Sequence, residues 1–266
     1  MKRYNGNFVQ CLEEIKNAGQ GVATASEGII ARIKQGANSN YRGKGCWHPE
    51  GTARIGGTNY WCLQQFAPTT HYPQETLEAN KNKKYLPLTN DIKLGKKPAS
   101  QLIREIAERD AELPISKRRV LIPENQQTFL VPSCDLGKID IAIFLARNQE
   151  LAEKYGYFLD RICGIKEIRF YQFEDCYDYV AAGFWLRWLV RGDVSGFGGG
   201  RGFDYSDGSL FGVAKRGALS QKKIVEGDSK KIFAPTLKQV LKYSKPFVPE
   251  VAKEDFEKGL ASLFKQ

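Results

Sequence analysis

The segment from Val180 to Val190 constrains the fold more than any other stretch, because only Arg187 interrupts its apolar residues. A run of this kind must be buried when the chain folds. Asp175 precedes it as a typical helix-capping residue, and Gly192 follows it as a typical helix end. We therefore predict a buried helix here, preceded by a strand over residues 167–173.

A second segment, residues 138–146, has the alternating pattern of a strand. Branched apolar residues occupy every second position, namely Ile139, Ile141, Ile143 and Leu145. Because the residues between them are also mostly apolar, we predict a central strand that is covered on both faces.

Short helices are predicted near the N-terminus, with Asn7 and Ser26 as their N-caps and Gly19 and Gly36 at their ends. The predicted fold class is therefore α+β, possibly mixed α/β. It combines an N-terminal helical region with a mixed sheet flanked by helices.

The chain divides most naturally at residue 114, where Pro114 ends a helix that Ser100 caps. Residues 1–114 form a helical and loop-rich region with a lysine-rich connector. Residues 115–266 form an α+β core that carries a glycine-rich loop and a basic C-terminal tail.

The net charge indicates the class of partner. Lys and Arg total 40 against 30 acidic residues, which gives a charge of +10. Such a protein attracts polyanions, and we predict a nucleic acid, DNA or RNA, as the partner, with other protein subunits in a larger assembly. A basic surface without a polyanionic partner is the alternative.

The sequence contains no apolar stretch of membrane-spanning length and no secretory signal, so we predict no membrane partner and an intracellular, cytoplasmic location. The six cysteines form no CxxC pair, which is typical of free thiols in a reducing compartment.

The glycine-rich loop after residue 195 is the predicted nucleic-acid site. Its glycines allow backbone amides to approach an anion closely, and its arginines and aromatic rings can contact phosphates and bases. The predicted contact residues are Arg191, Arg201, Phe203, Tyr205, Lys215, Arg216, Lys222 and Lys223. Phe197 and Phe211 supply further aromatic faces.

Within this loop, the stretch RGFDYSDG over residues 201–208 resembles the aromatic RNA-contact motif of RRM domains. Asp204 departs from that motif, because a small residue belongs at its position. The glycine-rich loop also resembles that of the RAMP proteins of CRISPR complexes. That resemblance implies an RRM-like fold that holds guide RNA.

A metal site is a separate hypothesis. Both histidines and two of the cysteines fall within 26 residues, and sulfur and imidazole nitrogen are the ligands that zinc prefers. The candidate ligands are Cys46, His48, Cys62 and His71. Their spacing differs from that of zinc fingers, so we predict no resident cofactor and keep zinc or magnesium as the alternative.

No motif identifies a reaction, and the balance favours a protein that is not an enzyme. The alternative is a metal-dependent nuclease that uses Asp204, Asp207 and Lys215, an order similar to that of PD-(D/E)xK nucleases. Val213 stands where that pattern has a carboxylate. A structural or assembly subunit without a nucleic-acid role is the remaining alternative.

Overall fold

The computed structural model describes residues 1–36, 45–82, 84–186, 196–201 and 209–214, with side chains only to Gly198 within the fourth range. These residues belong to one compact unit that spans Met1–Ala218. The predicted division at residue 114 stays a prediction. Among the described helices, none has the length and apolar character needed to cross a membrane.

The α-helices of the described part fall into three groups along the chain, within residues 8–35, 68–110 and 140–157. The α-helices are α1 Phe8–Asn17, α2 Ala25–Gln35, α3 Pro68–His71, α4 Pro73–Lys81, α5 Ala99–Asp110, α6 Asp140–Ala146 and α7 Gln149–Tyr157. A π-helix, Phe158–Ile162, continues α7, and short 3₁₀ turns cover Gln64–Phe66, Ile115–Lys117 and Ser133–Lys138.

Strands occur throughout the described chain. They are β1 Lys2–Asn5, β2 Gly21–Val22, β3 Cys46–Ile55, β4 Thr58–Cys62, β5 Leu86–Pro87, β6 Lys93–Leu94, β7 Lys97–Pro98, β8 Val120–Leu121, β9 Phe129–Pro132, β10 Glu167–Tyr171, β11 Val180–Leu186, β12 Gly196–Arg201 and β13 Ser209–Val213.

The central sheet is mixed and has the order β8-β4-β3-β11-β12-β10-β9, with β5 paired to β11 beside this path. Only β10 and β12 run parallel; the other neighbours within this sheet are antiparallel. A smaller sheet, β1-β13-β2, joins the two ends of the described chain. The predicted α+β fold class is therefore confirmed.

The central sheet is curled, because hydrogen bonds join strands that are several positions apart. The Trp61 indole N–H in β4 donates to Gln172 Oε1, which follows β10, at 3.3 Å. Asn59 Nδ2, also in β4, donates to the carbonyl of Gln126 at 2.7 Å. These bonds bring the two edges of the sheet towards each other.

The pairing of β3 with β11 contains a bulge. Gly183 lies opposite Gly51, and the next residue, Phe184, lies opposite His48, so Pro49 and Glu50 are extra residues in β3. A proline is tolerated in a central strand at such a point. The bulge lets both Glu50 carboxylate oxygens accept the backbone N–H of Ala25, at 3.1 Å each, where α2 begins.

Capping explains the first two helices. Asn7 caps α1 as predicted, in a capping box with Gln10. The cap of α2 is Thr24, which forms a capping box with Glu27, rather than the predicted Ser26. Ser26 instead donates its hydroxyl to the carbonyl of Ala146 at 3.0 Å.

The predicted strand over 138–146 is wrong, because residues Asp140–Ala146 form α6. Ile141, Ala142, Phe144 and Leu145 are all buried. A helix that is enclosed on most sides is apolar at nearly every position, and its sequence then resembles a buried strand.

The predicted helix over 175–192 is also wrong. Residues Val180–Leu186 form β11, which lies between β3 and β12, and residues 187–195 fall outside the described part. Every residue from Ala181 to Leu186 is buried, because helices or loops cover both faces of the sheet at this point. Periodicity cannot separate helix from strand in a run of this kind.

An aromatic core fills the space between the sheet and helices α2, α6 and α7. Phe197 stacks on Phe170 with ring centroids 4.8 Å apart. Phe184 and Tyr155 also lie against the Phe197 ring. A second apolar cluster lies under α5, and a third under α1. Burial of these side chains is the main stabilising contribution to the fold.

The end of α5 is attached to β8 by one buried carboxylate. Asp110 Oδ2 accepts the backbone N–H of Arg119 at 2.8 Å and its Nε–H at 3.0 Å, and Oδ1 accepts from Nη2 at 2.6 Å. These hydrogen bonds to Arg119 lower the pKa of Asp110 below its ordinary value.

We expect Asp110→Asn to lower the free energy of unfolding by about 2 kcal/mol at pH 7, because bonds to a charged group are lost. A carboxylate with a lowered pKa in the folded state stabilises the fold above its unfolded pKa, and this contribution is lost as the pH falls through its folded pKa. The difference between wild type and variant should therefore shrink below about pH 4 in urea unfolding curves.

Asp135→Asn is the matched control, because Asp135 forms a surface ion pair with Lys138 at 2.7 Å. Its effect should be below about 0.5 kcal/mol. Equal effects of the two substitutions would contradict a special role for Asp110.

Candidate functional site

The connection between β10 and β11 contains six consecutive exposed residues, Glu174–Tyr179. Tyr177 keeps 38% and Tyr179 keeps 46% of its surface exposed. Tyr85, which is half-buried, lies beside them: its ring is 4.8 Å from Tyr177 and 4.9 Å from Phe173, in edge-to-face geometry. We call Tyr85, Tyr177 and Tyr179 the tyrosine surface.

Hydrogen bonds hold this connection in one conformation. Asp178 Oδ1 accepts the backbone N–H of Tyr179 at 2.9 Å and that of Gly57, in the β3–β4 turn, at 3.3 Å. The carbonyl of Tyr179 accepts the N–H of Leu88 at 2.7 Å. The segment is thereby attached to two other parts of the chain, and its tyrosines project from a defined backbone.

An ion pair adds a further attachment. Arg54 Nη2 in β3 donates to Asp175 Oδ1 at 2.7 Å; the arginine side chain is buried and the carboxylate is exposed. The Arg54 Nε–H is buried and has no hydrogen-bond acceptor. Asp175 is therefore part of an ion pair with Arg54 and is not the helix cap that the sequence predicts.

Tyr179 has a φ of +50°, a conformation that residues with a side chain rarely adopt. Such a backbone persists only where its surroundings determine it, and here the bonds at Asp178 and Leu88 do so. Strain of this kind occurs most often at functional sites. Sequence analysis missed these tyrosines, although the polar run EDCYDY is itself a poor helix start for an apolar core segment.

The predicted nucleic-acid residues fall largely outside the described part of the chain. These are Arg191, Phe203, Tyr205, Lys215, Arg216, Lys222 and Lys223, and Asp204 and Asp207 of the nuclease hypothesis lie there too. Arg201 is the last residue of β12, with its backbone opposite Gly183.

The first part of the predicted glycine-rich loop is a strand. A Cβ at Gly196 would lie 2.5 Å from the carbonyl oxygen of Arg169, so glycine is needed there for close approach of β12 to β10. Phe197 and Phe211 are buried in the interior and present no face to a base. These glycines and rings therefore serve packing within the sheet.

The predicted metal residues separate into one pair and two isolated side chains. Cys46 Sγ lies 3.2 Å from His48 Nε2, and both residues are fully buried. Cys62 is buried in β4, where burial alone raises its pKa. His71 is exposed at the end of α3, with Nε2 at 3.2 Å from the carbonyl of Gln65. Within the described residues, no three potential metal ligands lie together.

His48 is fixed by its surroundings. Its Nδ1 lies 3.2 Å from the carbonyl of Ala23, which only accepts, so Nδ1 carries a proton and Nε2 faces the sulfur. A Cβ at Gly28 in α2 would lie 2.4 Å from the imidazole Cε1. The absence of a side chain at Gly28 is what allows the ring to fit.

Arg32 completes what we call the buried charge cluster, which consists of Arg32, Cys46, His48 and Tyr155. Its Nη2 donates to Cys46 Sγ at 3.5 Å and to the carbonyl of Leu186 at 3.1 Å. Its Nη1 donates to the Tyr155 hydroxyl at 2.9 Å. The cluster joins α2 and α7 to β3 and β11.

The pKa values in the cluster are shifted by these contacts. Burial raises the pKa of Cys46, but the charges and hydrogen bonds of His48 and Arg32 outweigh it and lower the pKa to about 7. Burial lowers the pKa of His48, and Cys46 more than reverses this, so that the His48 pKa is raised. Both shifts favour the thiolate form of Cys46 and the imidazolium form of His48.

We expect Cys46→Ala to lower the free energy of unfolding by about 3 kcal/mol, because the buried Arg32 Nη2 and His48 Nε2 then lose the sulfur that they contact. Denaturant unfolding at neutral pH measures this. Cys62→Ala is the matched control, since that thiol is buried and neutral and behaves as a small apolar group, and it should cost about 1 kcal/mol. A Cys46→Ala cost no larger than that of the control would contradict a stabilising role for the contacts of Cys46 with Arg32 and His48.

Comparison with known proteins identifies the fold but no family. No family model matches the chain, and no curated protein matches it. A solved structure is similar to it, and that structure concerns how the C-type lectin fold accommodates massive sequence variation in Nanoarchaeota. The TM-score is 0.55 with 14% sequence identity, over 80% of this chain and 97% of that chain.

This similarity shows the fold alone, which is the C-type lectin fold. It overturns the predicted function as a nucleic-acid-binding protein, including its RAMP-like version. The metal-dependent nuclease and the structural subunit, which were the alternatives to that function, gain no support from this fold. The physical reason is that net charge describes the whole chain and does not locate a site. The residues chosen from Gly196–Gly198 and Phe211 are interior residues of the sheets.

Proposed function

We propose that this protein is a recognition protein that binds a polypeptide partner through the tyrosine surface. The observation that carries the proposal is the segment Glu174–Tyr179, which is exposed at every residue and yet fixed by hydrogen bonds to Gly57 and Leu88. Exposed aromatic residues on a defined backbone are typical of protein-binding loops.

Tyrosine is well suited to this role. Its ring offers a large contact area and its hydroxyl a hydrogen bond, while only two side-chain torsions have to be fixed on binding. Tyr177 is already in contact with Tyr85. Each side chain that is ordered before binding avoids about 0.5–1.5 kcal/mol of the conformational entropy that is otherwise lost on binding.

The position of the tyrosines favours a polypeptide over a small molecule. Small molecules bind in concave pockets. Three cavities in the described part, with volumes of about 550, 350 and 440 Å³, are lined by other residues, near α1 and α3, near α2 and α7, and near the start of α6. Tyr177 and Tyr179 instead project from the connection between β10 and β11, as contact residues of a protein interface do.

The fold is compatible with this role. In the similar protein from Nanoarchaeota, the C-type lectin fold accommodates massive sequence variation. A framework that keeps its fold while its residues change suits a protein whose surface is adapted to a partner.

The Cys46–His48 pair supports a catalytic function less well than the tyrosine surface supports binding. Its distance of 3.2 Å suits a nucleophile and its base, but both side chains are fully buried. A nucleophile has to reach its substrate. We assign this pair a stabilising role instead.

To test the proposal, peptides are selected from a random displayed library against the full chain, and their affinities are measured for variants. Tyr177→Ala should weaken binding about tenfold or more, as expected for an aromatic residue at the centre of an interface. Tyr179→Gly should act similarly, since glycine adopts a positive φ without strain and only the ring is lost.

Tyr157→Ala is the control, because Tyr157 is 63% exposed at the end of α7, outside the tyrosine surface. Its affinity should equal that of wild type. Selected peptides that bind all three variants like wild type, or a chain that binds glycans and selects no peptide, would overturn the proposal.

A further inference from the structure

Strand β9 lies at the end of the central sheet. It pairs with β10, from Phe129 opposite Phe170 to Pro132 opposite Glu167. Among the described strands, β9 has no second neighbour. A strand in this position has one row of backbone groups that its own sheet does not use.

The direction of those groups follows from one hydrogen bond. The N–H of Ser133 donates to the carbonyl of Lys166 at 2.8 Å, in the same register as the β9–β10 pairing. In an antiparallel pair, every second residue exchanges hydrogen bonds with its partner strand. Val131 and Phe129 therefore bond to β10, and Leu130 and Pro132 direct their backbone groups away from it.

The outer edge of β9 is apolar, and no strand of the described part of the chain covers it. Its four residues, Phe129–Pro132, contain no charge, and the side chain of Leu130 is 48% exposed. Natural sheets protect such an edge with charged residues, bulges or proline. Here only Pro132, at the end of the strand, offers that protection.

We propose that a second copy of this chain pairs with β9, antiparallel, about a two-fold axis at Leu130. Leu130 directs both its N–H and its C=O outwards, so it forms two hydrogen bonds with the Leu130 of the second copy. A two-fold interface requires a patch that is complementary to itself, and this residue provides it. The central sheets of the two copies then become continuous.

The neighbouring residues are compatible with this register. Pro132 has no N–H, and it is the N-cap of the 3₁₀ turn Ser133–Lys138, a position whose carbonyl accepts the first bond of the turn. In the proposed register it lies opposite Thr128 of the second copy, so the hydrogen bonds between the copies are those of Leu130. Because proline lacks an N–H donor, the pairing is limited to the short stretch around Leu130. The symmetric arrangement does not depend on a hydrogen bond from Pro132.

Charge does not oppose the pairing. Arg169 lies opposite Leu130 on β10, on the same face of the sheet. The two Arg169 side chains of the proposed dimer are three strand spacings apart, about 14 Å at the usual spacing. That exceeds the Debye length of about 8 Å at physiological salt, so their repulsion is screened.

The test measures the mass of the full chain in solution by light scattering over a range of micromolar concentrations. We expect wild type to approach twice the 30.0 kDa of one chain as the concentration rises. Leu130→Pro removes the outward N–H and leaves the hydrogen bonds to β10 intact, so this variant should remain a monomer with a folded far-ultraviolet dichroism spectrum.

A second pair of variants decides the matter if Leu130→Pro fails to fold. Leu130→Lys places a charge at the edge and should remove the dimer. Leu113→Lys is its control, because Leu113 is 41% exposed elsewhere, between α5 and β8, and should leave the dimer unchanged. A monomeric wild type, a dimer that survives Leu130→Lys, or equal dissociation of the two lysine variants would overturn the proposal.

Discussion

The pairing of β3 with β11 is the constraint on which the other features depend. At one end, Cys46 lies opposite Leu186, whose carbonyl accepts a hydrogen bond from Arg32. At the other end, Arg54 lies opposite Val180 and holds Asp175. The buried charge cluster and the tyrosine surface are therefore at opposite ends of one strand pair. Burial of both strands is possible because their charged residues meet partners at these two ends.

Local signals in the sequence predicted some elements correctly. Asn7 and Gln10 form a capping box, which depends only on neighbouring residues, and α1 was predicted from Asn7. The strand β10 lies within the strand that was predicted over residues 167–173. The segments that became α6 and β11 were misassigned because they are buried on nearly all sides, so that no polar positions remain to reveal a period of 3.6 or 2.

The candidate site was less predictable than the fold. The sequence placed Cys46 and His48 in one hypothesis, and the structure brings them together, but as a buried contact that includes Arg32 from a helix and, within the described residues, no metal-ligand set. The tyrosine surface requires contact between Tyr85 and Tyr177, which are far apart in sequence. Its fixed conformation depends on Gly57 and Leu88, and no local pattern reveals those contacts. Net charge pointed to a class of partner without indicating a surface.

The two extra residues in β3 separate the strand pair into two segments with independent alignment. Pro49 and Glu50 account for the change in register between Gly51, which lies opposite Gly183, and His48, which lies opposite Phe184. A change of register on the Arg54 side of the bulge would therefore leave the pairing of Cys46, Trp47 and His48 with β11 in place. It would displace Gly57, whose N–H donates to Asp178, so the exposed tyrosines would move before the interior does.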